Sequence, residues 1–181
     1  YPNDGKGIFL ADAAADTDRR ITSTGTVTTF AGTAARVPDL IDGIGIEARF
    51  RRVGGIASDA TGFLYVVDDL PFDARIRRVS PNGQTATLAG FSSGSLLGPA
   101  GLVLEGSNTI YVVQDCFVLK ITPSGTRTAG FWQGQGACGP AGIARAASGD
   151  LFIADTVNNV IRRVTPAGDV STVAGGPAGF A

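Results

Sequence analysis

The stretch Gly142–Gly175, GIARAASGDLFIADTVNNVIRRVTPAGDVSTVAG, decides the fold. It holds four short apolar runs separated by turn signals. LFIAD is a continuous run of β-branched, aromatic and aliphatic residues, which reads as a buried strand. TPAG is a turn with a mechanism: proline fixes φ and glycine accepts a positive one. No helical periodicity of useful length competes.

The phrase recurs. The second copy is GIASDATGFLYVVDDLPFDARIRRVSPNGQTATLAG, Gly55–Gly90, and the third is GLVLEGSNTIYVVQDCFVLKITPSGTRTAG, Gly101–Gly130. The first starts late, as GIFLADAAADTDRRITSTGTVTTFAG, Gly7–Gly32. The Ala-Gly ends at Gly32, Gly90, Gly130 and Gly175 are spaced by 58, 40 and 45 residues. The longest spacing contains an insertion, Thr33 to Val53. Four strands in about 40–45 residues is the period of a β-propeller blade. The expectation is an all-β propeller of four four-stranded blades in one domain, residues 1–181. The blades cover residues 1–32, 54–90, 98–130 and 139–175, followed by a closing strand at 176–181.

The phrase GIASDATGFLYVVD, followed by IRRVSPNG and TLAG, resembles the NHL repeat. Asp42-Gly43 and Ala48-Arg49-Phe50 upstream of Gly55-Ile56-Ala57 are similar to the DGxxxxARF…GIA phrase of long NHL repeats, with Val53 where the family often has proline. The resemblance implies strands A to D running from a central channel outward. GIA is A, LYVVD is B, IRRVSP is C and TLAG is D. The B–C and D–A loops then share one face, and the A–B and C–D turns share the other.

Composition excludes more than it proposes. The chain has 26 glycines and 9 prolines in 181 residues, and its 44% hydrophobic content argues against disorder. No run of 18 apolar residues exists, so no membrane-inserted helix is expected. There is no histidine, which removes Ser-His-Asp and Cys-His catalysis and His-ligated zinc from this stretch. Two cysteines cannot make a four-cysteine zinc site. With no methionine, Tyr1 is not a translation start, and the chain is expected to be a processed protein or part of a longer one. A net charge of −1 and a pI near 5.3 leave no basic footprint for nucleic acid. Nothing in the sequence requires a cofactor.

Several residues could carry chemistry. The B strands end in Asp12, Asp68 and Asp155, and the C strands carry Arg19, Arg77 and Arg162 in matching places. The third copy has Gln114 and Leu119 there, so acid and base are lost together, as a structural ion pair requires. The competing reading is a carboxylate ring for calcium or a sugar. A second basic position, Arg20, Arg78, Lys120 and Arg163, recurs in all four copies. It is expected to lay aliphatic stems over neighbouring blades and keep its charges wet. Cys116 and Cys138 fall in loops of one face on neighbouring blades, and a disulfide between them is expected, in an oxidising compartment. Phe50 in the insertion, and Phe131-Trp132 in a glycine-rich loop, are candidate anchors for a protein or glycan partner. Phe50 could instead plug the core between blades, and Trp132 could equally be buried between them.

The tail Gly176-Pro177-Ala178-Gly179-Phe180-Ala181 copies GPAGIA at Gly139–Ala144, where an inner strand begins. The first copy lacks that segment. The tail is therefore expected to complete the first blade, near Ile8 and Leu10, in the same chain or in another copy. Blades of this family pack at about six per turn, so four leave an open arc. The favoured function is an extracellular, non-catalytic interaction module whose main partner is itself, joined head to tail into a ring or filament. The alternatives are a lactonase-like hydrolase using channel carboxylates, for which only Asp59 and Glu105 beside Arg145 are available, and a ligand-binding fragment of a larger propeller. An RNA-binding domain would need a basic face.

Overall fold

In the computed structural model, residues 7–34, 40–68, 73–92, 101–106, 109–114, 117–122, 127–129 and 139–176 are described. The chain divides into two compact units, Tyr1–Pro99 and Ala100–Ala181. All four sheets are antiparallel, and the described helical content is one 3-10 turn, Gly45–Glu47.

The first unit holds two sheets. Sheet 1 is β1 (Ile8–Asp12), β2 (Thr17–Ile21) and β3 (Val27–Gly32), in that order. Sheet 2 contains β4 (Gly43–Ile44), β5 (Val53–Ser58), β6 (Leu64–Asp68), β7 (Asp73–Val79) and β8 (Gln84–Ser92), in the order β4-β8-β7-β6-β5. The insertion thus contributes a fifth, outermost strand, Gly43–Ile44, against Thr85 and Gln84. Sheet 1 has three strands among the described residues.

The second unit holds sheet 3, of β9 (Leu102–Glu105), β10 (Thr109–Gln114), β11 (Phe117–Ile121) and β12 (Arg127–Ala129). Sheet 4 is β13 (Pro140–Arg145), β14 (Leu151–Asp155), β15 (Val160–Val164) and β16 (Val170–Gly175).

Strand alternation places each core. In the first unit, Phe9, Ala11 and Ala31 of sheet 1 face Val53, Leu64, Val66 and Val79 of sheet 2, with Phe50 between them. In the second, Tyr111, Val113 and Val118 of sheet 3 face Leu151, Ile153 and Val164 of sheet 4. Both units therefore use the same joint: the middle of one sheet's second face against the first face of the next.

The repeated Ala-Gly ending has a backbone reason. Gly32 and Gly175 have φ of 91° and 84°, and a Cβ at either would lie 2.6 Å from Asp16 O or 2.1 Å from Asn159 O. Asp16 and Asn159 occupy matching turn positions, both at φ 54°, where Asp and Asn are the side chains best tolerated.

Candidate interaction surface

Arg77 organises the first unit. Its side chain is fully buried, and its two terminal nitrogens donate to four acceptors: Asp68 Oδ2 at 2.9 Å, Asp42 Oδ1 at 2.8 Å, Ile41 O at 2.8 Å and Arg49 O at 3.0 Å. Asp68 also accepts the Arg51 and Arg52 amides at 2.9 and 3.2 Å. Burial pushes the Asp68 pKa upward, against the pull of those amides and of Arg77. Asp42 accepts the amide and hydroxyl of Thr87; burial raises its pKa, but these bonds and Arg77 outweigh it and hold the carboxyl below its ordinary range.

The described part of the insertion is thereby held at Ile41-Asp42 and at Arg49, Arg51 and Arg52. Phe50 is 2% exposed, with the Arg77 guanidinium 5.1 Å from its ring centre. This corrects the reading of Phe50 as a partner-loop anchor: a ring sealed between two sheets has no surface to offer.

Sheet 4 repeats the acid–base pair, with Arg162 Nε 2.9 Å from Asp155 Oδ2 and Asn158 donating to both carboxylate oxygens. Burial raises the Asp155 pKa, but the bonds from Arg162, Asn158 and the Gly139 amide outweigh it and hold it low. Sheet 1 departs from the pattern. Asp12 accepts the Ala15 amide at 3.2 Å and meets no arginine among the described residues, while Arg19 donates to Thr29 Oγ1 at 2.7 Å. Ala15 stands where sheet 4 has Asn158, so at Asp12 the turn supplies a backbone amide in place of the side-chain amide that Asp155 receives.

The second basic position also has partners. Arg163 meets Asp150 at 2.8 Å, and Lys120 meets Glu105 at 3.4 Å. Arg78 lies over the Phe63 ring at 3.7 Å. Glu105 additionally accepts from Tyr111 at 2.9 Å and Arg145 at 2.8 Å. The Tyr111 bond, with Lys120 and Arg145, holds its pKa low. Asp59 is occupied by Thr61, the Phe63 amide and Tyr65. The two carboxylates available to a hydrolase are thus each committed to neighbours, and no group of three or more metal-ligating side chains is found among the described residues.

Among the described residues, two sheet faces lack cover. On sheet 1, Ile8 and Leu10 are each 51% exposed, whereas the matching Leu64 and Val66 of sheet 2 and Leu151 and Ile153 of sheet 4 are buried. On sheet 4, Ile161 is 37% exposed, and Ala154, Asp155, Ile161, Ala174 and Gly175 line an open cavity of about 240 Å³. The matching corner of sheet 1, Ala31 and Gly32, is filled by Phe50: a Cβ on Gly32 would come 2.8 Å from its ring.

Cys116, Cys138, Phe131, Trp132 and the tail positions Pro177, Ala178, Gly179, Phe180 and Ala181 lie outside the described residues. Gly176 follows β16 directly. Sequence reasoning missed Asp18, which is fully buried. The signal was present: Asp18 pairs with Ala11 in the position that Ile76, Val118 and Ile161 hold in the other sheets.

Four antiparallel sheets with this repeat define a β-propeller fold, and comparison with solved structures agrees. A streptogramin B lyase superposes with a TM-score of 0.70 at 19% identity, over 97% of this chain and 52% of that one. Virginiamycin B lyase from Staphylococcus aureus gives 0.64 at 20%, over 91% and 50%. A chain of the nidogen–laminin complex gives 0.71 at 18%, over 93% and 59%. The chain thus spans between half and three fifths of the length of these similar propellers. No protein-family model matches the sequence, and no curated protein matches it.

Proposed function

We propose that this chain is a non-catalytic, extracellular interaction module of the NHL-repeat kind that binds further copies of itself head to tail, in a ring or a filament. One observation carries the reading: the two uncovered faces are the two halves of a joint the chain already builds twice. Ile8 and Leu10 match the residues that sheets 2 and 4 present to the sheet before them. Ala154 and Ile161 match those that sheets 1 and 3 present to the sheet after them. A second copy's sheet 1 laid on sheet 4 repeats that packing, and burying the half of Ile8 and Leu10 that is still exposed is worth roughly 1 kcal/mol each. The tail has the sequence of an inner strand, and sheet 1 is short of one among its described residues, so strand addition would supply main-chain bonds as well.

The test is mass measurement of the native protein over a range of concentrations. Assemblies that Ile8→Asp with Leu10→Asp reduces to monomers, with the far-ultraviolet spectrum unchanged, support the proposal. Removal of residues 176–181 should shorten them too. A wild-type chain monomeric at high micromolar concentration overturns it.

The lyase neighbours keep an enzymatic reading alive, but less support gathers around it. One of them is known as a catalytically inactive histidine-to-alanine variant with quinupristin bound, and the 181 residues here contain no histidine. A lactonase-like site would need a divalent cation; thermal stabilisation by calcium, zinc or manganese would favour it. A Cys116–Cys138 bridge, read from the mass after alkylation without reduction, would support the extracellular assignment. Phe131 and Trp132 are the positions to test for glycan or protein partners.

A further inference from the structure

Asp18 lies in the joint between sheet 1 and sheet 2, at a position where the other three sheets carry Ile76, Val118 and Ile161. It has no exposed surface, and among the described residues neither carboxyl oxygen has a hydrogen-bond partner; the neighbouring Thr17 hydroxyl has none either. Ala31 and Phe50 exclude water from the same joint. The charged groups facing Asp18 across it are Asp68 from β6 and Arg77 from β7, with Asp42 of the insertion behind Arg77. Arg77 spends both terminal nitrogens on four other acceptors, and its Nε is itself without a partner. On its own sheet, Arg19 is turned away to Thr29. A negative charge at Asp18 would therefore be desolvated, next to a second carboxylate, and without a donor.

We infer that Asp18 makes the joint between sheets 1 and 2 pH-sensitive: the joint is closed while this carboxyl is protonated and loosens when it ionises. Burial first, then the Asp68 charge, raise its pKa from 3.8 to about 8, with Arg77 pulling the other way. The sign follows. In the unfolded chain the group ionises near 3.8, and in the folded chain near 8. Its stabilising contribution is complete below the lower value and is lost progressively as pH rises to the upper one, by up to about tenfold in the folding equilibrium per pH unit.

The experiment compares the full chain with Asp18→Asn, which keeps the shape and removes the charge. Carbon-13 spectra of the carboxyl groups, with Asp18 assigned by its loss in the variant, should show a midpoint several units above the ordinary range. The wild type should lose at least about tenfold in folding equilibrium constant between pH 5 and 8 relative to Asp18→Asn. Amide exchange, corrected for intrinsic rates, should quicken in β1–β3 and not in β13–β16 over the same interval. Asp18→Ile, which restores the residue type of Ile76 and Ile161, should flatten the profile as well. A midpoint near 4, or parallel pH profiles for wild type and Asp18→Asn, overturns the inference. None of these readouts depends on association between copies, so its failure and that of head-to-tail binding are separate results.

Discussion

Ala31-Gly32 and Ala174-Gly175 end matching outer strands, in the same register and after the same bulge, yet the first pair is buried and the second exposed. The sequence of the pair does not decide this; the neighbour does. Phe50, held by the Arg77 network, covers the corner at sheet 1, and no described residue does so at sheet 4. A repeat phrase therefore specifies strand and turn, while burial is set by what the following segment brings. The two arginines show the same contrast: Arg77 has no exposed side-chain surface, and Arg162 keeps 20%.

The comparison can be broken by substitution. Arg77→Ala should cost most, about 4 kcal/mol, because it strands buried Asp68 and releases Ile41 O and Arg49 O, whereas Arg162→Ala should cost about 1–2 kcal/mol. Urea unfolding of the two variants measures the gap, and equal costs would mean that the networks are equivalent. Phe50→Ala should cost about 3 kcal/mol and open the Ala31-Gly32 corner. Its signature is faster amide exchange in β3 together with the lower midpoint. Asp155→Asn sharpens the contrast through pH. Asp155 is held below its ordinary 3.8, so its pairing stabilises above that value and is lost as pH falls through the folded one. Acid unfolding of the variant should be shallower than that of the wild type. The smallest effect belongs to Ile161→Ala, within about 0.5 kcal/mol for a single copy, since its surface is already partly wet. Its mark should instead be weaker association at fixed protein concentration.

Much of the fold was legible because its signals are local. Strand runs such as LYVVD, the SPNG and TPAG turns and the Ala-Gly ends gave the order of strands and the place of the insertion. The strand pairs Asp68–Arg77 and Asp155–Arg162 were legible too, because joint loss at Gln114 and Leu119 exposes a partnership within one copy. Asp12 and Arg19 depart from that rule, Asp12 taking the Ala15 amide and Arg19 the Thr29 hydroxyl. Asp18 went unread for a different reason. Its burial depends on Phe50 and on β6 and β7, far along the chain, and a carboxylate beside Thr17 and Arg19 looks like ordinary surface until register aligns it with Ile76. The acids that meet Arg163 and Lys120 were likewise hidden, since Asp150 precedes β14 and Glu105 ends β9, and only strand pairing reveals their approach.

The bulge shared by three sheets has its own consequence. Pairing shifts between Asp18 and Arg19, between Ile76 and Arg77, and between Ile161 and Arg162, so β3, β8 and β16 each carry one extra residue at the same height. Such a step bends the strand and steepens its twist, which spoils a straight row of free amides and carbonyls. In sheet 2 the row is additionally capped by Gly43–Ile44. Outer rims built this way are poor templates for side-by-side stacking of the kind that yields amyloid. In these three sheets the edge strand is thereby guarded against disorderly strand-to-strand pairing.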